Sequence, residues 1–189
     1  MRKLTLILVL TVVLGALLAT AAGATTLVFE AEHYNWITPS MTVGNGDSTG
    51  ADSGGHHIYI PLRRPHATTQ QGPADSGNAT YKVYVPTEGD YTFWGLAWWF
   101  DSCGKSFFTL VDDMAPQTPA FFADNLYQQW HWVQGKTFHL PVGWHTVRLQ
   151  NREDGVKLDE WLITTASPDV FTPTRHMPET SAYLYHQGS

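Results

Sequence analysis

The stretch His145 to Thr164, HTVRLQNREDGVKLDEWLIT, decides the fold. His145, Val147 and Leu149 alternate with Thr146, Arg148 and Gln150, the two-residue period of a half-buried strand. Asn151-Arg152-Glu153-Asp154-Gly155 interrupts that period with turn residues, and Asp-Gly accepts the positive φ of a tight hairpin. Val156 to Thr164 follows as a return strand, so the reading is two strands joined by a charged hairpin. The return strand carries Asp159 inside an otherwise apolar and aromatic run. A charge there is costly to desolvate unless it is paired or holds a metal.

The same period recurs on either side. Thr26 to His33 places Leu27, Phe29 and Ala31 on one face and Val28, Glu30 and Glu32 on the other. Two carboxylates on one strand face repel unless a cation or an arginine sits between them. Further strands are expected at His56 to Leu62, halted by Pro61, at Tyr81 to Val85, at Tyr91 to Trp98 and at Ser106 to Val111. Two more are expected at Trp130 to Leu140 and Trp144 to Gln150. Thr38 to Gly55 and Arg63 to Gly77 read as polar loops, and Asp112 to Gln129 is a connection longer than a hairpin needs. No capped helical periodicity follows the N-terminal segment. The expected fold is all-β: a two-sheet antiparallel β-sandwich, or jelly roll, with its first and last strands paired.

The N-terminus is read as a secretory signal. Arg2 and Lys3 precede the apolar run Leu4 to Leu18, and Ala22-Gly23-Ala24 fits a cleavage site, so residues 1–24 are assigned to the signal. An uncleaved anchor is the competing reading, the run being near the short limit of a spanning helix. Residues 25–167 then form the sandwich and 168–189 a tail that wraps the surface or is partly disordered. Without Arg2 and Lys3 the basic count falls from 11 to 9 against 17 acidic residues, a formal charge of −8. That surface argues against nucleic acid or an anionic membrane as partner. Cys103 is the only cysteine, which excludes an internal disulfide; it is read as a buried small apolar residue.

Phe29-Glu30-Ala31-Glu32, Ala79 to Pro86, Gly89-Asp90-Tyr91, Leu140 to Leu149 and Lys157-Leu158-Asp159 form an ordered set. That order resembles the family 6 and family 35 carbohydrate-binding modules over Leu27 to Thr164. The resemblance implies a β-jelly roll with a structural calcium between its first and last strands. Glu30, Glu32 and Asp159 would be its ligands, with backbone carbonyls from the loop near Asp52. Calcium takes six to eight oxygens at about 2.3–2.6 Å, which independently suits these acids. The competing reading is solvated edge carboxylates, or one of them neutralised by Arg148.

The resemblance also implies a sugar cleft at the loop end, with aromatic rings on the pyranose faces and a polar residue before the Leu-Asp pair. That residue is usually asparagine in the first family; here it is Lys157. Lysine only donates and carries charge, so Lys157 beside Arg152 suits a carboxylate or sulfate on the sugar. Otherwise Lys157 only answers Glu153, Asp154 or Glu160 as a surface pair. Trp130 is placed in the cleft with Tyr59 or Tyr127 as a second wall, while Trp98 and Trp99 fall at the opposite end as a second platform, or with one of the two rings in the core. The function expected is a monomeric, secreted, non-catalytic binder of a polysaccharide or oligosaccharide. A jelly-roll polysaccharide lyase and an adhesion domain without sugar are the alternatives. No carboxyl pair, His-Glu-x-x-His run or Gly-x-Ser-x-Gly elbow marks a catalytic centre.

Overall fold

A computed structural model describes residues 23–46, 55–62, 77–112, 124–174 and 176–185. The expected signal, the loop near Asp52 and most of the Arg63 to Gly77 loop lie outside the described residues. The described residues form ten strands: β1 (Thr26–Glu30), β2 (Trp36–Thr38), β3 (Thr42–Asn45), β4 (His56–Tyr59), β5 (Asn78–Val85), β6 (Gly89–Trp99), β7 (Phe107–Val111), β8 (Trp130–Leu140), β9 (Gly143–Asn151) and β10 (Val156–Thr164). They form an antiparallel sandwich, as the alternation predicted. A six-stranded sheet runs β3-β4-β10-β6-β8 with β1 also on β10, and a four-stranded sheet runs β2-β5-β9-β7. The strands β2 and β3 fall partly in the stretch read as loop. Three and four residues, one set containing Gly44 and Asn45, give too short an alternation to register as strand.

One expectation is corrected at the outset. β9 and β10 are not hairpin partners, because β9 pairs β5 and β7 while β10 pairs β1, β4 and β6. The Asn151 to Gly155 turn therefore carries the chain from one sheet to the other. Gly155 does hold the positive φ expected of it, at 72°.

The organisation of β10 positions everything that follows. One edge pairs with β6 along nearly its whole length. The other edge is shared: β4 takes Lys157 and Leu158, and β1 takes Glu160 to Thr164. Asp159 lies between the two partners, at an irregularity in the β6 register. The extra residue changes the phase of the strand. Val156 and Leu158 face the core before it, Trp161 and Ile163 after it.

Between the sheets the core is aromatic. Trp161 lies 4.5 Å from Phe29, 4.9 Å from Tyr81 and 6.0 Å from Phe93, centroid to centroid. Tyr81, fully buried, donates its hydroxyl to the carbonyl of Ala31 at 2.6 Å, which ties the four-stranded sheet to the chain just after β1. A smaller apolar cluster lies on the outer side of the six-stranded sheet, where Val28, Trp94 and Leu162 are covered by Phe171 and Met177. Trp132 beside them donates its indole N–H to the carbonyl of Thr174 at 2.9 Å. Thr180 makes reciprocal bonds with the backbone of Val28, and Leu184 bridges to Val83. The segment after Thr164 thus straps the sandwich across both sheets.

Cys103 is exposed, not a buried apolar residue. It sits in the tight turn between Asp101 and Gly104, whose closed geometry leaves its side chain outside.

Candidate functional site

Two features share the six-stranded sheet. The first is an acidic cluster at the point where β10 changes partner. Glu30 stands opposite Glu160 in the β1–β10 register, a like-charge pair that is unfavourable in isolation. The backbone N–H of Ala31 donates to the carbonyl of Asp159 at 2.7 Å, holding the chain just after β1 against β10. One carboxylate oxygen from each of Glu30, Glu32 and Asp159 falls within 4.8 Å of the other two. The three expected metal ligands are therefore brought together. Asp159 and Glu160 are buried. Glu32 Oε2 and Glu160 Oε2 accept no hydrogen bond among the described residues.

Electrostatics follow from that crowding. Burial, aided by the charge of Glu30, pushes the Glu32 carboxyl up to about 7, against the pull of its own backbone hydrogen bond and of His33 and His56. Burial and the charges of Glu30 and Glu32 push Glu160 up to about 8, although the Met177 N–H partly offsets them. Two histidines stand at the rim. His33 bonds Glu179 at 2.9 Å; burial lowers its pKa, but Glu179 outweighs this and the net shift is upward. Glu179 also accepts from the Glu30 N–H. His176 lies 4.0 Å from Asp159 and 3.9 Å from Glu160. All donors of Glu30, Glu32 and Asp159 are oxygen, the set that a hard divalent cation takes.

The second feature is a row of side chains on the outer face. Tyr59, Lys157, Trp98 and Trp130 are successive register partners across β4, β10, β6 and β8. The Lys157 ammonium sits 4.7 Å from the Trp98 ring centroid and 6.0 Å from that of Trp130. His57, two residues before Tyr59, is buried under this row, 5.6 Å from Trp130 and 5.8 Å from Tyr59. Gly44 makes room for it, since a Cβ there would come within 2.5 Å of the imidazole. All four members of the row are partly exposed.

Several expected residues are placed differently. Trp98 joins Lys157 and Trp130; it does not lie at the opposite end. Trp99 has no exposure and packs on Phe107 in the core, its indole N–H donating to Asp124, so it contacts no ligand. Arg152 does not accompany Lys157. Its guanidinium bonds Ser106 and Glu153 and lies over the Phe108 ring of β7, on the other sheet. Tyr127 packs partly against the core and donates its hydroxyl to Asn125.

Sequence reasoning missed a second aromatic surface, on the four-stranded sheet. Trp144 is 56% exposed and lies edge-on to Tyr84 and Tyr185, and Lys82 sits 5.4 Å from Trp36 and 5.5 Å from Tyr185. Lys82, Trp144, His145, Thr146 and Tyr185 line an open cavity of about 390 Å³ there. The signal was present in the alternation of Lys82 and Tyr84 with the core residues Tyr81, Val83 and Val85, Tyr84 standing in register with Trp144.

No protein-family model and no curated protein matches the sequence. Solved structures do. The GH26-CBM35 β-(1,4)-mannanase of Podospora anserina aligns over 76% of this chain at 17% identity and a TM-score of 0.55; this chain spans 28% of that enzyme. The C-terminal family 6 module of a marine laminarinase from Zobellia galactanivorans aligns over 74% of this chain and 99% of its own, at 16% identity and a TM-score of 0.52. A family 35 carbohydrate-binding module from Clostridium thermocellum aligns over 74% and 98%, at 19% identity and a TM-score of 0.52. Among the described residues no helix is long and apolar enough to cross a membrane. The two sheets, their order and these alignments give the chain the fold of the family 6 and family 35 carbohydrate-binding modules.

Proposed function

We propose that this chain is a secreted, non-catalytic carbohydrate-binding module that takes an acidic polysaccharide on the outer face of its six-stranded sheet. The observation that carries the reading is Lys157 over Trp98 and beside Trp130, in register with Tyr59. The rings offer flat apolar faces for pyranose C–H groups, and the ammonium offers a charge for a uronate or sulfate. The solved structures that share the fold and align over nearly their own length are carbohydrate-binding modules, which favours a glycan ligand. A shallow face buries little surface, so affinity is modest. The same reading makes the chain a monomer that binds neither nucleic acid nor membrane once its signal is removed.

Calcium belongs to this proposal. The donors of Glu30, Glu32 and Asp159 converge within 4.8 Å, and a buried carboxylate oxygen on Glu32 has no hydrogen-bond partner among the described residues, so the residues fit such an ion. Bound there, calcium supplies charge neutralisation. These residues would hold β1 against β10 beside the Asp159 irregularity, two residues beyond Lys157 in the row.

A glycan array of neutral and uronic-acid polymers, probed with and without chelator, tests both parts. Retention on uronic-acid polymers above neutral ones is expected, weakened by chelation. Equal retention on both classes removes the charge argument; no retention on any glycan removes the binding function. Release of reducing or unsaturated ends would favour the lyase reading instead.

A further inference from the structure

The strap that follows β10 brings a nitrogen donor to the acidic cluster, and we infer that Asp159, Glu160 and His176 form a second cation site, suited to zinc. One ligand atom from each lies within 4.8 Å of the others. His176 Nδ1 stands 4.0 Å from Asp159 Oδ2 and 3.9 Å from Glu160 Oε2, too far for hydrogen bonds. Donors sharing a tetrahedral zinc with legs of about 2.0–2.1 Å sit about 3.4 Å apart, so each of the two His176 contacts needs to close by roughly half an ångström.

Glu160 supplies the independent argument. Its side chain has no exposure; Oε1 accepts from the Met177 N–H at 3.1 Å, while Oε2 accepts no hydrogen bond among the described residues. A buried carboxylate oxygen left so is costly, and the group it faces is the imidazole of His176. Imidazole with two carboxylates is a zinc donor set, whereas calcium takes oxygen alone. His176 is 35% exposed, which leaves a path for the ion and a fourth position for water.

Asp159 belongs to both clusters and is positioned to bridge them. The zinc set does not need the calcium reading, since Glu160 and His176 take no part in the other. Its consequence is mechanical: His176 lies between Phe171 and Thr180, so the ion clips the strap to β10.

The test uses the full mature chain, stripped with chelator and dialysed against calcium, zinc or both, with metal content counted by mass spectrometry and zinc affinity by calorimetry. One zinc per chain is expected, with affinity at least tenfold lower in His176→Ala and in Glu160→Gln and calcium content unchanged in His176→Ala. Zinc should also slow proteolysis of the strap in the parent but not in His176→Ala. Zinc uptake without calcium uptake upholds this site and sinks the calcium reading. Absent zinc uptake, or uptake undiminished in both variants, overturns the site whatever calcium does.

Discussion

Trp98 and Trp99 are neighbours in sequence and do opposite work. Alternation says that one faces in and one out, but only pairing with β10 decides which. Lys157 opposite Trp98 puts Trp98 outside, and Trp99 falls into the core. Replacing Trp98 by alanine should weaken glycan binding on the order of tenfold with little loss of stability. Trp99→Ala should instead cost about 3–5 kcal/mol in unfolding free energy, the usual cost of emptying a buried tryptophan site. Calorimetry and denaturant titration on the two variants separate these roles. Lys157→Gln should lower affinity for a uronic-acid oligomer about three- to tenfold and flatten its salt dependence, leaving neutral glycans unaffected. Arg152 was legible only as a charge next to a turn. Its partners are Glu153 in the same turn and Ser106 just before β7, and no spacing rule links them.

At the scale of elements, the strands with clear alternation were readable almost to their ends, β10 and β8 above all. What they pair with was not. Turn chemistry at Asp154-Gly155 is the same whether the chain reverses within one sheet or steps to the other. The choice depends on β5 and β7 occupying both edges of β9, which is information from far along the chain. The Asp159 irregularity was likewise visible only as a charge out of place. The strap after Thr164 hides in composition, because its covering residues Phe171 and Met177 lie six apart with no strand or helix period among prolines and polar groups. Ending the chain after Ser167 removes the cover from Val28, Trp94 and Leu162. That truncation should lower stability by roughly 2–4 kcal/mol and raise binding of an apolar dye, measured by thermal melts and fluorescence.

For the molecule as a whole, the acidic cluster links stability to pH and to cations. Facing Glu32 are Glu30, His33 and His56; facing Glu160 are Glu30, Glu32, the Met177 N–H and His176. With the folded carboxyls at about 7 and about 8 against an ordinary 4.5, the folded chain keeps protons that the unfolded chain has released. Stability in chelator should therefore fall as pH rises from about 4.5 to 8 and level off above, with calcium removing most of the slope. Melts across that range, with chelator and with calcium, measure it; a flat profile in chelator would mean that the carboxyls are not crowded as described. Strand alternation set Glu30 and Glu32 on one face and left Asp159 out of place in an apolar run, and the resemblance to the family 6 and family 35 modules joined them as one ligand set. Glu160 and the approach of His176 could not be picked out in the sequence, since they depend on the phase change in β10 and on the path of the strap.

The outer-face row is the central claim, and one titration tests it most directly. The mature chain, Trp98→Ala and Trp144→Ala are each titrated by calorimetry with a uronic-acid oligosaccharide in calcium buffer. Binding by the parent and by Trp144→Ala, with loss in Trp98→Ala, is the predicted result. Unaltered binding by Trp98→Ala, or loss in Trp144→Ala alone, would contradict it and move the ligand to the other sheet.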